Sequence, residues 1–577
     1  MKKTIITTIL GTALLLNGCS MEKFPNDKLN PNQFFKTEND LKIYTNSLYT
    51  VLPTGQQTYT RDASLTDIMA TASSPNLLIA GAYTDYEDEL TRWWSWSDLR
   101  NINYFLENNN NEEITLRIRN NYNGIARFFR AWFYYEKVKT FGDVPWCDKT
   151  LSSSDPDLYA PRESRMVVTD KIIEDLDFAI EHITEVFTRN ASTITHSAAL
   201  ALKARVCLFE GTFRKYSGDA NLAATAQTLL NQAAAAAKQL MNEGNYALYK
   251  TGSTPYRDLF TGESTVPGTE VILMDTYSGS LAHYHEANWL FSSSSTGSRP
   301  GFTKTFINTF LHIDGSRFTD HPNYDKTSFM EEVKGRDARL SQLIRTEGYR
   351  LNGVTAAPDF GHTKTGYHFV KFTQDNNPNM GMGRNTNSVP IIRYAEVLLV
   401  YAEAMTELGE MNEQVWSATV GELRSRARIT NTLRPATVDP YMQSLFPSVT
   451  NADLLEIRRE RAIELAGEGL RFDDLRRWRA GHLLERVWDG IYVEHLNEEI
   501  DLNNDGTKNV CFVTTTPSSP VPGVYYFVSS PNFAVSAGEK ISVYSNVNKK
   551  FNQHFYLYPI PRSARLKNNN LSQNPGW

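Results

Sequence analysis

The sequence predicts a mainly α-helical protein in which helix pairs stack on one another and a long loop-rich region interrupts the stack. Apolar residues recur at three- and four-residue spacing in residues 114–139, 168–186, 197–213 and 221–243, as in amphipathic helices. The same period returns after residue 391. Between these stretches, residues 251–390 are rich in Gly, Ser, Thr, Asn and Pro and lose the period, which predicts loops with short strands and a few short helices.

The ends of several helices can also be predicted. The first long helix is expected to stop at the turn formed by residues 141–145, Phe-Gly-Asp-Val-Pro, because Gly and Pro interrupt helices. After residue 391, one helix should end at Gly409, a second should cover about 412–428, and a third should begin near Asn451, a residue type that caps helix N-termini. Each apolar face needs a neighbour to bury it, so the helices are expected to pack in pairs.

The composition excludes some classes of protein. Of the 577 residues, 21% are charged and 41% are hydrophobic, which is typical of a globular chain that can bury a large core. The net charge of −6 and the lack of a Lys/Arg-rich block argue against nucleic acid as a partner. Three cysteines follow residue 19: Cys147, Cys207 and Cys511. Because their number is odd and no two have Cys-x-x-Cys spacing, we expect free, buried thiols and not a disulfide framework.

The N-terminus predicts attachment to a membrane. Two lysines precede an apolar stretch, residues 5–16, which is too short to cross a bilayer as a helix. This stretch ends in Leu-Asn-Gly-Cys at Cys19, which resembles a bacterial lipobox, although an ordinary signal peptide with an incidental Cys is the alternative. We therefore expect residues 1–18 to be a lipoprotein signal peptide, Cys19 to be acylated, and residues 19–36 to form a tether.

Four blocks of the sequence, in order along the chain, resemble one family. They are residues 127–145, which end in the Phe-Gly-Asp-Val-Pro turn, residues 390–405, residues 457–478, and the terminus, with Tyr-Pro-Ile-Pro at 558–561 and Gln-Asn-Pro-Gly-Trp at 573–577. Together with the lipobox, these blocks resemble the SusD/RagB family of outer-membrane nutrient-binding lipoproteins of Bacteroidetes. The resemblance covers the whole chain after the signal peptide.

The resemblance implies a fold and a function. Members of this family have tetratricopeptide-like helix pairs that form a superhelical scaffold under a loop-rich face. The chain should then contain a single domain, residues 37–577, with its helical scaffold at about 37–250 and 390–490, loops at about 251–389, and an irregular C-terminal part at 491–577. Family members bind oligosaccharides at the cell surface, deliver them to a SusC-like TonB-dependent transporter of the outer membrane, and catalyse no reaction. A minority serve peptide uptake, so a peptide ligand stays open.

A dense group of charges lies in the third block. Because residues three apart lie on the same helix face, we expect these side chains to form ion pairs within the scaffold and not to contact a ligand. They are Arg458, Arg459, Glu460, Arg461, Glu464, Arg471, Asp473, Asp474, Arg476 and Arg477.

Aromatic and polar residues in three segments are candidates for glycan binding, because sugars stack on flat rings and their hydroxyls need fixed polar groups. The resemblance directs attention to an early segment and to the central loops. The candidate residues are Tyr83, Trp93, Trp94, Trp96, Asn101, Tyr284, Trp289 and Tyr324. The alternative for the tryptophans is that they pack beneath the first helix pair. His283 and His285, with Glu286, are candidates for metal ligands, and the alternative is that both are ordinary hydrogen-bonded or solvated histidines.

Residues 501–509, Asp-Leu-Asn-Asn-Asp-Gly-Thr-Lys-Asn, resemble the first half of a calcium loop. Asp501, Asn503 and Asp505 offer oxygen atoms at alternate positions, and Gly506 occupies the sixth. The twelfth position is Phe512 and not the usual Glu, so a simple polar turn competes with the calcium hypothesis.

The sequence contains no Gly-x-Ser-x-Gly, His-Glu-x-x-His, P-loop or Gly-x-Gly-x-x-Gly motif. A glycoside hydrolase needs only two suitably placed carboxylates, so this alternative stays open, although no pair is singled out. A tetratricopeptide-type scaffold that binds only proteins is a third hypothesis.

Overall fold

The computed structural model describes residues 34–262, 268–293, 298–376 and 380–577. The predicted signal peptide and Cys19 lie outside these residues, so the lipidation remains a prediction.

Long helices form the scaffold, as the sequence predicts. The described residues contain nine α-helices of ten residues or more: α1 (Glu38–Ser47), α2 (Gly55–Ser64), α3 (Ser97–Asn108), α4 (Leu116–Phe141), α5 (Arg165–His182), α6 (His196–Lys215), α7 (Ala226–Glu243), α8 (Tyr394–Glu407) and α9 (Ala452–Glu464).

Shorter helices lie mostly in the connections. They are Asp88–Trp93, Ala220–Ala223, Asp258–Thr261, Ala287–Ser292, Lys304–Ile307, Phe329–Glu332, Leu340–Leu343, Glu413–Trp416, Glu422–Arg426, Pro440–Leu445, Arg471–Arg477 and Arg562–Lys567.

The described strands are short and, apart from β1, lie in the loop-rich and C-terminal parts or at their borders. They are β1 (Met69–Ala70), β2 (Val271–Asp275), β3 (Gly301–Phe302), β4 (Arg350–Leu351), β5 (Val354–Thr355), β6 (Val389–Arg393), β7 (Trp488–Val493), β8 (Glu499–Ile500), β9 (Val510–Val513), β10 (Tyr525–Val528), β11 (Phe533–Ala534) and β12 (Glu539–Val543).

These strands form sheets of two or three strands only. β2 pairs with β6, β1 with β3, and β4 with β5, all antiparallel. The C-terminal part adds two three-stranded sheets, with the orders β10-β9-β8 and β11-β12-β7.

Sequential packing of neighbouring helices builds the stack. Helix α4 packs on α3 and α5, α6 on α5 and α7, and α8 on both α7 and α9. Most buried apolar side chains, such as Trp132 of α4 and Phe209 of α6, belong to one continuous core. The mainly α fold with stacked helix pairs is therefore confirmed.

Local interactions move some boundaries away from the expected ones. The helix expected after residue 391 begins at Tyr394, because the preceding residues pair with β2. The helix expected at 221–243 breaks before Ala226, where the hydroxyl of Thr225 donates to the Leu222 carbonyl and accepts from Arg214. Asn451 caps α9 as predicted, its side chain accepting from the Leu454 N–H.

A cluster of buried ion pairs joins the helical stack to the loop-rich region. Glu464 is fully buried at the end of α9 and accepts from Arg339 and Arg393 at 2.8 and 2.5 Å, and also from Arg426. Glu270 pairs with the same Arg393 and Arg426 at 3.0 and 2.9 Å. Burial alone would raise the pKa of Glu464, but the three guanidinium groups hold it well below its ordinary range.

The charges of the third block thus have the scaffold role that the sequence predicts. Arg477 pairs with Glu403 of α8, and Arg461 pairs with Asp474 at 3.1 Å. Arg458, which is also buried, lies over the ring of Trp478 at 4.6 Å. Buried charges are costly to desolvate without partners, so the ion pairs of Arg461 and Arg477 fix the positions of these side chains.

The three thiols are free, and Cys207 and Cys511 are buried, whereas Cys147 is half-buried. Among the described residues, no helix combines the length and apolar character needed to cross a bilayer.

Removing the charge of Glu464 should destabilise the whole fold. The Glu464→Gln variant would leave three buried guanidinium groups short of a counterion, so we expect a loss of about 3–5 kcal/mol in the free energy of unfolding. The measurement is the urea midpoint at neutral pH. In the control, Glu331→Gln, an exposed pair with Lys334 is lost, which should cost no more than about 1 kcal/mol. Equal effects of the two changes would contradict this account.

Candidate functional site

The early aromatic segment packs on helix α4. Trp94 and Trp96 meet edge to face with ring centroids 5.5 Å apart. Trp94 also contacts Phe141 at 4.9 Å, and Trp96 contacts Phe133 at 5.6 Å. Both indoles are half-buried and pack against the core. Each therefore keeps only part of its surface for a ligand.

Trp93 is the most exposed of the three tryptophans, at 37%. Its ring packs edge to face on Tyr558, with centroids 5.1 Å apart. The buried ammonium group of Lys137 donates to the backbone carbonyls of Trp93 and Ser95 and so fixes this turn. Nearby, Tyr86 is 65% exposed and lies against the guanidinium group of Arg562.

The other two residues of this segment differ in exposure. Tyr83 is buried, and its hydroxyl donates to Glu89 at 2.5 Å. Asn101 is exposed on α3, where its carbonyl accepts from the Tyr44 hydroxyl. Tyr83 thus lies in the core, whereas Asn101 can reach solvent.

The second predicted segment lies beside helix α2. Tyr284 is 41% exposed, and its hydroxyl donates to the carbonyl of Gly279. Trp289 is half-buried. His285 is buried, and its Nε2 lies 2.8 Å from the Asn387 carbonyl, while burial lowers its pKa to about 4. His285 is therefore part of a buried hydrogen-bond network.

The third predicted residue, Tyr324, does not line an open groove of about 550 Å³ but contacts its wall through Tyr441, and the adjacent Asp325 reaches the wall residue Lys540. The Tyr324 ring packs edge to face on Tyr441 with centroids 5.9 Å apart, and the Tyr441 hydroxyl donates to the carbonyl of Thr305 in the groove wall. The neighbouring Asp325 pairs with Lys540, which also lines the groove. The loop-rich region and the segments around β7, β11 and β12 form the walls, which consist of Thr305, Arg486, Val487, Asp489, Ala534, Ser536, Glu539, Lys540, Ile541 and Ser542.

Polar groups in this groove are held in fixed positions. Asp489 accepts from the backbone N–H and the hydroxyl of Thr305 at 3.0 and 3.1 Å. Lys540 lies 3.4 Å from both Asp489 and Asp325. Burial alone would lower the pKa of Lys540, but these carboxylates raise it, so the ammonium stays charged at neutral pH. Arg486 is exposed at the rim.

The loop at residues 501–506 connects β8 to β9. Asp501 accepts from the backbone N–H groups of Asn503 and Gly506 at 3.1 and 2.8 Å. Asp505 accepts from the Asn503 amide at 2.8 Å and from the hydroxyl of Thr355 at 3.1 Å. Among the described residues, no group of three or more His, Cys, Asp or Glu side chains is arranged to hold a metal ion.

The three aromatic segments thus have different neighbours: α4 and the C-terminus, α2, and the β7–β12 sheet. Their roles in ligand binding stay predictions. Sequence reasoning found Tyr324 but missed the groove beside it, since Arg486, Asp489 and Lys540 are brought together by pairing of β7 with β12, which no local pattern reveals.

Comparison with known proteins identifies the family. Residues 269–577 match the model of the SusD family, and residues 22–208 match a model described as starch-binding and associating with the outer membrane. The chain therefore belongs to the SusD family, and the predicted membership is confirmed. The second description agrees with the predicted association with the outer membrane.

Individual relatives match over nearly the whole length. SusD-like protein P2 of Formosa agariphila is 26% identical over 513 residues, which cover 84% of this chain and 92% of the relative. A SusD-like protein from Bacteroides fragilis superimposes with a TM-score of 0.69 at 22% identity, covering 94% of this chain and 98% of its own. A SusD-like carbohydrate-binding protein from the same species also has a TM-score of 0.69, at 21% identity, with 93% and 100% covered.

Replacing Trp96 by Ala tests how much its ring contributes to the packing of the fold. Since its ring lies against Phe133 and Trp94, we expect Trp96→Ala to lower the free energy of unfolding by about 2 kcal/mol, less than for a fully buried ring. Tyr86→Ala, at an exposed site, should change it by less than about 0.5 kcal/mol. Urea unfolding of both variants is the measurement. Unchanged stability of Trp96→Ala would mean that the ring is free for a ligand.

Proposed function

We propose that the protein is a lipid-anchored, glycan-binding protein on the cell-surface side of the outer membrane, which delivers oligosaccharides to a SusC-like TonB-dependent transporter. Membership of the SusD family supports this proposal, as do the words "starch-binding" in the matching model and "carbohydrate-binding" in the name of the similar B. fragilis protein. In this proposal the protein itself catalyses no reaction.

The observation that carries the proposal is the open groove beside Tyr324. Its volume of about 550 Å³ lies within the range of small-ligand sites. A half-exposed tyrosine ring offers an apolar face for the C–H groups of a sugar. Asp489, Lys540 and Arg486 supply acceptors and donors for hydroxyl groups, and the first two are already oriented by their own contacts.

The remaining candidate residues form part of the same proposal as additional contact points. Trp93, Tyr284 and Asn101 are exposed enough to meet a long glycan away from the groove. Trp94, Trp96 and Trp289 offer partial ring surfaces, whereas Tyr83 would act by positioning its neighbours, because it is buried.

A glycan screen tests the function. The soluble chain starting after Cys19 is applied to an array of neutral and acidic oligosaccharides, and each hit is measured by calorimetry. The proposal expects at least one glycan to bind and no reducing ends to be released on incubation. Released reducing ends would establish a glycoside hydrolase, and binding of peptides alone would establish the RagB-like alternative.

Substitutions in the groove locate the binding site. Tyr324→Ala and Arg486→Gln should each weaken the best glycan by about tenfold, because each removes one contact to the sugar. Tyr159→Ala is a matched control: its ring is 55% exposed and lies outside all three candidate segments. Calorimetry of the folded variants gives the affinities. Unchanged affinity in both groove variants would show that the glycan does not bind in the groove.

The predicted lipid anchor at Cys19 can be tested separately from glycan binding. Cys19→Ser should abolish incorporation of a labelled fatty acid and move the protein from the outer-membrane fraction to the soluble fraction, since the acyl chains supply the attachment. Fractionation of cells expressing either form is the measurement. Retention of the serine variant in the membrane without the label would contradict lipid anchoring at this residue.

A further inference from the structure

We propose that the loop between β8 and β9 binds a calcium ion through Asp501, Asn503 and Asp505. This site is separate from the groove and does not depend on the proposed function. The sequence motivates it by the spacing of these three oxygen-bearing residues before Gly506, as in the first half of a calcium loop.

The backbone already has the curled shape that such a loop requires. The Asp501 carboxylate accepts from the N–H groups of Asn503 and Gly506, so the chain folds back over its own first residue. Gly506 has a φ of +88° and Asn504 a φ of +56°, which produce the tight reversal. Asp501 and Asp505 are thereby held at one end of the β8–β9 connection.

A buried oxygen without a partner provides an independent indication of a ligand. Asn503 is only 4% exposed, and its Oδ1 is buried with no hydrogen-bond donor in the described structure. The Nδ2 of the same amide donates to Asp505 at 2.8 Å. Because the two terminal atoms of an amide are about 2.2 Å apart, this oxygen lies within about 5 Å of the carboxylate. A buried acceptor without a donor is costly, and a cation would satisfy it.

The donor set selects the kind of cation. Two carboxylates and an amide oxygen are hard ligands, which suit calcium and not zinc or copper. Hydrogen bonds from the Thr507 N–H and the Asn503 amide fix the orientation of the Asp505 carboxylate. Backbone carbonyls and water would complete the shell. Magnesium is disfavoured, because it dehydrates reluctantly and demands a near-octahedral shell.

Phe512 at the twelfth position indicates how tightly the loop should bind calcium. The position that carries a bidentate Glu in a complete calcium loop is here a buried aromatic residue of β9. With one strong ligand missing, we expect a dissociation constant in the range of extracellular calcium modules, about 0.1–1 mM.

Calcium binding would also stabilise the neighbouring β4–β5 hairpin. The Asp505 oxygen that accepts from the Asn503 amide also accepts from the hydroxyl of Thr355 in β5. An ion that fixes Asp505 would therefore hold the C-terminal part of the chain against the β4–β5 hairpin of the loop-rich region.

Calcium titration of the purified full chain in detergent, after treatment with a chelator, tests the site. We expect saturable heat in calorimetry and a rise in Tm of about 2 °C at about 10 mM calcium, with a smaller rise in magnesium. Asp501→Asn and Asp505→Asn should each weaken calcium binding at least tenfold. Glu498→Gln, which removes the same charge from an exposed residue three positions before the loop, should bind as the unaltered chain does.

A variant that should bind calcium more tightly distinguishes loss of the site from misfolding of the variants. Asn503→Asp should tighten calcium binding at least tenfold, because the buried amide oxygen would become a third carboxylate, and should lower the Tm when the chelator is present. No heat and no change in Tm with calcium in the unaltered chain would overturn the proposal. So would equal losses in Asp505→Asn and Glu498→Gln, or an Asn503→Asp variant that binds calcium no better.

Discussion

The buried ion-pair cluster around Glu464 is the constraint on which the rest of the structure depends. Its partners come from separated parts of the chain: Arg393 at the start of α8, Arg339 in the loop-rich region, and Arg426 before the last helices. A carboxylate at this depth is tolerated only with such partners, so satisfying Glu464 fixes how the helix stack and the loops meet. This arrangement gives the irregular region a rigid base, although the region has little regular structure of its own.

A rigid base matters because the candidate groove is assembled from segments far apart in sequence. Thr305 comes from the loop-rich region, and Asp489 and Lys540 come from strands of the C-terminal part. Hydrogen bonds between Thr305 and Asp489 join the two regions in the wall of the groove. The polar groups are therefore oriented before any ligand arrives, which reduces the entropy lost on binding.

The sequence predicts the scaffold better than the site, for physical reasons. Helical periods are local, so α4, α6 and the Asn451 cap could be predicted from a few neighbouring residues. The scaffold role of Arg461 and Glu464 also followed from their local spacing, but their partners did not, because Arg461 pairs with Asp474 and Glu464 pairs with arginines from distant segments. By contrast, the exposure of Trp94 and Trp96 depends on Phe133 and Phe141, and the groove depends on the pairing of β7 with β12. Such long-range contacts leave no period in the sequence.

The most direct measurement of the central claim is a crystal structure of the protein with the tightest-binding oligosaccharide from the screen. The account predicts a sugar ring against Tyr324, with hydroxyl groups bonded to Asp489, Lys540 or Arg486. A glycan bound only at Trp93, or only at Tyr284, with the groove filled by solvent, would contradict it.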